Sequence, residues 1–118
     1  MIRKRILIAD DEELIRAIVR MALGTAYEIS EAADGEEAWQ KLSIADPEFD
    51  LLILDWNMPL LNGKELLERI MARDPNASVL VLSGRFDCPV EANAQLRVMN
   101  KPFDNSELLR TVAELLTS

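Results

Sequence analysis

The chain has 118 residues, 21 acidic and 13 basic side chains, a net charge of −8, one cysteine and no histidine. That length suits one domain, residues 1–118, with a core that needs no staples. The acidic balance argues against direct nucleic-acid binding, and the longest apolar stretches are too short to cross a bilayer.

Arg5–Ala9 predicts a first strand, and Glu12–Leu23 a helix with Leu14, Ile15, Ile18 and Ala22 on one core-facing stripe. Tyr27–Ala32 alternates and predicts a second strand, and Asp34-Gly35 opens a helix over Gly35–Ser43. Leu51–Asp55 is an apolar strand that ends in a carboxylate. Asn62 with Glu65 predicts a capping box at the start of a helix over Gly63–Arg73, and Asp74-Pro75 closes it. Ser78–Ser83 predicts a fourth strand, Pro89–Gln95 a short helix and Leu96–Asn100 a fifth strand. The last helix, Asn105–Leu116, carries Leu108, Leu109, Val112, Leu115 and Leu116 as its core stripe.

Strands alternating with helices predict a parallel sheet covered on both faces. The first, third and fourth strands are continuously apolar, which suits central positions. The second alternates and the fifth is broken by Arg97, which suits edges. The expected α/β fold is therefore a flavodoxin-like doubly wound five-stranded parallel sheet, strand order 2-1-3-4-5, with a shortened fourth helix.

Ligands of such sheets bind beyond the carboxyl ends of the strands, where the order reverses. Polar residues gather there: Asp10 and Asp11, Asp55, Ser83 and Lys101. An aspartate after a strand is often only a turn or a helix cap, and Asp10 to Glu13 also suits a solvated helix start. All four strand ends turning polar together is harder to assign to chance. Carboxylates of Asp10, Asp11 and Asp55 at one edge would repel without a hard cation, and Mg²⁺ takes such oxygen ligands. Asp55 is then a candidate nucleophile for an activated phosphoryl group, with Lys101 offsetting its charge and the Ser83 hydroxyl bonding a phosphoryl oxygen. Without phosphate, Lys101 would pair with Asp55. The absence of histidine means that any phosphohistidine belongs to a partner. The lone Cys88 excludes an intramolecular disulfide and, with no secretory leader at the start, points to a reducing, cytoplasmic setting.

The pieces Ile6-Leu7-Ile8-Ala9-Asp10-Asp11-Glu12, Asp34-Gly35-Glu36-Glu37-Ala38, Asp55-Trp56-Asn57-Met58-Pro59 with Gly63, Val81-Leu82-Ser83-Gly84 and Lys101-Pro102-Phe103 span nearly the whole chain. Together they resemble the receiver domain of two-component response regulators, with its chemotaxis-regulator-like fold. The resemblance implies Asp55 as phosphoacceptor. It implies Asp11, Asp55 and the main-chain carbonyl of Asn57 as direct Mg²⁺ ligands, with Asp10 acting largely through water. Ser83 becomes the switch hydroxyl, Lys101 the phosphate-binding lysine and Gly84 the small residue that keeps the acceptor open. It implies a histidine kinase or histidine phosphotransfer domain as donor and an unidentified downstream protein as target. No catalytic turnover is expected, and the chain should be a monomer or weak dimer, either free-standing or part of a larger regulator.

Two departures stand out. Only 18 positions separate Ser83 from Lys101, room for about two turns of helix after Pro89. Val98 stands where the family commonly has an aromatic ring that couples phosphate to output, with Phe86 nearby as a packing residue. These departures motivate a second reading, an interaction module of the same fold that works without phosphorylation. A third reading, a phosphatase of the haloacid dehalogenase type, would need its Asp-x-Asp nucleophile motif after the first strand. Here Asp55-Trp56-Asn57 follows the third strand and lacks the second acid. A flavin site would need a Ser/Thr/Gly-rich loop where Asp10-Asp11-Glu12-Glu13 stands.

Overall fold

Five short apolar runs form one parallel sheet in the order β2-β1-β3-β4-β5. The computed structural model describes residues 3–45, 48–84 and 90–117. Its strands are β1 (Arg5–Ala9), β2 (Glu28–Ala32), β3 (Leu51–Asp55), β4 (Val79–Ser83) and β5 (Leu96–Asn100). The helices are α1 (Glu13–Leu23), α2 (Gly35–Ile44), α3 (Gly63–Arg73) and α4 (Asn105–Thr117).

The central strands β3 and β4 are buried along their whole length because alternate side chains enter two different cores. Leu7, Leu52, Leu54, Val79 and Val81 face Ala38 of α2 and Leu66, Leu67 and Ile70 of α3. Ile6, Ile8, Ile53, Leu80 and Leu82 face Val19 and Leu23 of α1 and Leu108, Val112 and Leu115 of α4. Burying each such side chain stabilises the fold by about 1.5–3 kcal/mol.

Two helix stripes differ from the expectation. On α1 the core side is Ile15, Val19, Ala22 and Leu23, while Leu14 is 70% exposed and Ile18 lies at the margin. The stripe is rotated by about one residue, because Val19 and Leu23 one turn apart reach deepest into the core. Leu109 of α4 is 41% exposed at the edge of its stripe, and Thr111 is buried instead. The expected short helix over Pro89–Gln95 is not formed in its described part: 90–95 is irregular, with the Asn93 side chain accepting the N–H groups of Gln95 and Leu96. That local bonding offers the backbone an alternative to helix. Pro89, like Phe86 and Cys88, lies outside the described residues.

Side-chain caps start two helices. Asp34 accepts the Glu37 N–H at 2.8 Å, and Asn62 accepts the Glu65 N–H at 2.9 Å. Between β3 and α3 the chain is clamped. A Cβ on Gly63 would sit 2.5 Å from the Asp55 carbonyl, and one on Gly35 would sit 1.8 Å from the Leu61 carbonyl. With Leu61 buried on that side, Leu60 is left at φ 66° and 76% exposed. A leucine in the left-handed region carries a cost of roughly 1–2 kcal/mol, and asparagine tolerates it better.

Leu60→Asn should therefore raise stability by about 1 kcal/mol, a rise of roughly 4 °C in the thermal midpoint. Calorimetry of the two proteins measures it; an unchanged or lowered midpoint would show that the backbone at residue 60 is not strained.

Candidate functional site

The parallel register brings four strand ends to one edge. Ala9 lies beside Leu54, Asp55 beside Leu82 and Ser83 beside Asn100. The residues that end these strands or follow them therefore share the carboxyl rim. Asp10 is fully buried there, and all of its polar atoms are engaged. Its N–H donates to the Ala32 carbonyl at 3.1 Å, and its carbonyl accepts from Arg16 Nη1 at 2.5 Å. Its Oδ1 accepts the Glu12 N–H at 2.8 Å, and its Oδ2 accepts from Lys101 Nζ at 3.0 Å.

Asp55, 3% exposed, closes β3. Its Oδ1 accepts the Asn57 N–H at 3.2 Å and lies 3.3 Å from Lys101 Nζ. Lys101 thus bridges Asp10 and Asp55, with Glu12 Oε1 third at 3.7 Å. Its own N–H donates to the Ser83 carbonyl at 2.7 Å, which ties the ends of β4 and β5 together. Ser83 is fully buried, Asn57 is exposed, and a Cβ on Gly84 would meet nothing within 4 Å. The Lys101–Pro102 peptide is cis.

Asp10, Asp11 and Asp55 each place a carboxylate oxygen within 4.8 Å of the others. Asp11 is exposed while its two companions are buried. Burial pushes the Asp55 carboxyl up, and the nearby Asp10 charge adds to it, to about 6; the Asn57 N–H and Lys101 offset only part. Burial works against the Lys101 charge, but its hydrogen bond to Asp10 and the charges of Asp10 and Asp55 outweigh this and raise it above its ordinary value. Lys101 is therefore an ammonium at neutral pH. Three carboxylates against that one ammonium leave the rim short of positive charge. Hard oxygen donors with a charge deficit are what a small divalent cation takes.

Asp10, Asp11, Asp55 and Lys101 come together as the sequence spacing suggested, and Ser83 and Asn57 stand at the same rim. Lys101 pairs with Asp55 as expected, yet its shorter contact is to Asp10. Sequence reasoning passed over Arg16 and Glu31. Arg16 Nε reaches Glu31 Oε1 at 3.1 Å, and Arg20 Nε reaches Glu31 Oε2 at 2.8 Å. The signal was there: two arginines one helical turn apart and an acid among the alternating residues of an edge strand.

A family described as "Response regulator receiver domain" matches residues 6–113. The chain belongs to this family, the receiver domains of two-component systems. Among curated proteins it is 43% identical over 82 residues to a protein-glutamate methylesterase/protein-glutamine glutaminase of Bacillus licheniformis, covering 67% of this chain and 22% of that protein. It is 32% identical over 118 residues to the DNA-binding transcriptional regulator NtrC of Azospirillum brasilense, covering 96% of this chain and 24% of that protein. The chain thus spans about a quarter of the length of these two relatives. A sensor kinase, CckA of Brucella abortus, is also similar, at 30% identity over 94% of this chain and 12% of the kinase. Among solved structures, the signal receiver domain of an HD domain-containing protein from Pseudomonas fluorescens superposes with a TM-score of 0.87 at 29% identity, covering 98% of this chain and 96% of that one. Chemotaxis response regulator CheY4 of Vibrio cholerae gives 0.83 at 28%, covering 98% and 100%.

Asp55 holds its proton more tightly folded, at about 6, than at the ordinary 3.8 of an exposed carboxyl. The folded state therefore binds more protons between those values, and its stability falls as pH rises through that window. Asp55→Asn removes the buried charge. In metal-free buffer it should stabilise by on the order of 2 kcal/mol at pH 7.5, and the gain should shrink as pH falls toward 4. Urea unfolding at both pH values tests this; a gain that does not change with pH would mean that Asp55 ionisation is not its source.

Proposed function

We propose that this chain is a phosphoacceptor domain of a two-component phosphorelay. It would take a phosphoryl group onto Asp55 from a phosphohistidine of a partner histidine kinase or histidine phosphotransfer domain, in the presence of Mg²⁺. The observation that carries the reading is the bridge of Lys101 to Asp55 and Asp10 inside a three-carboxylate rim. Oδ1 of Asp55 is held by the Asn57 N–H and Lys101, which leaves Oδ2 as the attacking oxygen. As the bond from phosphorus to Oδ2 forms, the phosphorus–nitrogen bond of the donor breaks and its imidazole takes a proton from water. Asp10, Asp11, Asp55 and the main-chain carbonyl of Asn57 would hold the Mg²⁺, which supplies charge neutralisation to the phosphoryl oxygens. Lys101 would move from Asp10 and Asp55 toward those oxygens, and the Ser83 hydroxyl would bond one of them. The product would alter a binding surface, not a substrate pool: residues 1–118 would act as one signalling domain that turns over nothing, in a cytoplasmic setting. A downstream protein would read the conformer favoured by the phosphoryl group.

The irregular run at 90–95 and the half-buried Val98 support a second reading, in which the same fold binds its partner without phosphorylation. Partner affinity that is unchanged in Asp55→Asn would favour it.

With Mg²⁺ and a small acyl phosphate, intact-mass measurement should record one added phosphoryl group on the wild-type chain, none on Asp55→Asn, and less on Lys101→Ala. Equal gain in wild type and Asp55→Asn would overturn the assignment. Trp56 follows the acceptor, so its fluorescence should titrate with Mg²⁺ in the unphosphorylated protein.

A further inference from the structure

We infer that Arg16 is a positioning residue: it fixes the Asp10–Asp11 turn in the shape that binds the divalent cation. The inference rests on the cation site proposed above and adds a residue to it. Arg16 lies on α1, and its side chain is 14% exposed. Its guanidinium grips two elements at once. Nη1 donates to the Asp10 carbonyl at 2.5 Å, and Nε donates to Glu31 Oε1 at 3.1 Å. Two bonds from one rigid plane fix both the position and the tilt of the group.

Glu31 is itself held. Arg20 Nε takes its other carboxylate oxygen at 2.8 Å, and Lys41 Nζ donates to its main-chain carbonyl. The anchor on β2 is therefore tied to both α1 and α2, and Arg16 transmits its rigidity to the acidic turn.

The bond to the Asp10 carbonyl matters because of what that peptide carries. The carbonyl of Asp10 belongs to the planar unit that leads directly into Asp11. Rotating the plane swings the Asp11 backbone and moves its carboxylate relative to those of Asp10 and Asp55. The side chain of Asp11 is exposed, so packing does little to hold it. Arg16 and Lys101 are the cations that bond Asp10 among the described residues, and they do different jobs. Lys101 holds the carboxylate and is the group the reaction calls away. Arg16 holds the main chain and has no reason to leave. Groups that orient metal ligands from behind typically matter 10- to 100-fold in metal affinity.

The test is an Mg²⁺ titration of the unphosphorylated full chain, read by Trp56 fluorescence and by calorimetry, with the thermal midpoint measured without metal. Arg16→Met keeps the stem and should weaken Mg²⁺ about 10-fold or more. Arg16→Lys offers a single donor centre that cannot span both partners, and should recover part of the loss. Arg20→Met removes the same charge from the same helix but leaves both Arg16 bonds in place, so it should weaken Mg²⁺ several-fold less than Arg16→Met. Glu31→Gln loosens the grip without touching α1; it should weaken Mg²⁺ in the same direction, and it carries the test if Arg16→Met does not fold. Wild-type affinity in Arg16→Met, or an equal loss in Arg20→Met, would overturn the inference while leaving the cation site standing. A wild-type chain that binds no Mg²⁺ would overturn both.

Discussion

One ammonium in a nest of carboxylates constrains everything else at the rim. Lys101 lies 3.0 Å from Asp10 and 3.3 Å from Asp55, and both acids are almost wholly buried. Ionised groups leave water only when paired, so those acids depend on that lysine or on a cation in its place. The pairing also spans the sheet. Asp10 follows β1, Asp55 ends β3 and Lys101 follows β5, so one side chain ties β1 and β3 to the β5 edge. The bond from the Lys101 N–H to the Ser83 carbonyl extends the tie to β4. A parallel sheet permits this because its strand ends all emerge on one side; in an antiparallel sheet alternate ends would point away.

The apolar strands below explain why the rim is rigid enough to be useful. Ile53 and Leu80 are fully buried in one core, Leu54 and Val81 in the other, and helices seal the two from either side. The polar rim stands on that platform with little freedom to relax its repulsions by moving. The consequence is electrostatic. Asp55 cannot escape Asp10, and burial denies it water, so its carboxyl is driven up to about 6. An acid in that condition gains from any added positive charge, which is the property a cation-dependent acceptor needs.

Much of this was legible in the sequence, for a physical reason. Short continuous apolar runs bounded by turn residues and alternating with helical patterns read as strands covered on both faces, and a carboxylate that ends such a run emerges at the rim. Asp55, Asp10 and the strand order follow from those two facts. The stripe of α1 was misplaced because Leu14 and Ile18 are as apolar as Val19 and Leu23; composition does not distinguish the core side from its flank, and the angle at which α1 lies on the sheet does. The expected helix near residues 90–95 rested on a proline at a helix start, and the Asn93 side chain bonds that bend the chain there outweigh that signal. Arg16 and Glu31 were hidden for a different reason. The spacing of Arg16 and Arg20 hints at a shared acid, but which acid it is, and that Arg16 also takes the Asp10 carbonyl, depends on how α1 lies against β2.

The bonds of Asp10 show how the rim can change charge without losing its shape. Two hold its backbone, one holds Oδ1 and one holds Oδ2. Only the last depends on Lys101. In the proposed reaction the lysine turns to the incoming phosphoryl oxygens, and Asp10 loses that single partner. The remaining three come from Ala32, Arg16 and Glu12, on β2, on α1 and in the turn itself. Asp55 takes part in none of these three bonds. The acidic turn is therefore held by one set of bonds and neutralised by another. The group that moves is a flexible lysine, whose ammonium makes point-charge contacts in any direction, and the group that stays is an arginine, whose plane fixes geometry. A lysine at position 16 or an arginine at position 101 would exchange those properties and serve both tasks worse.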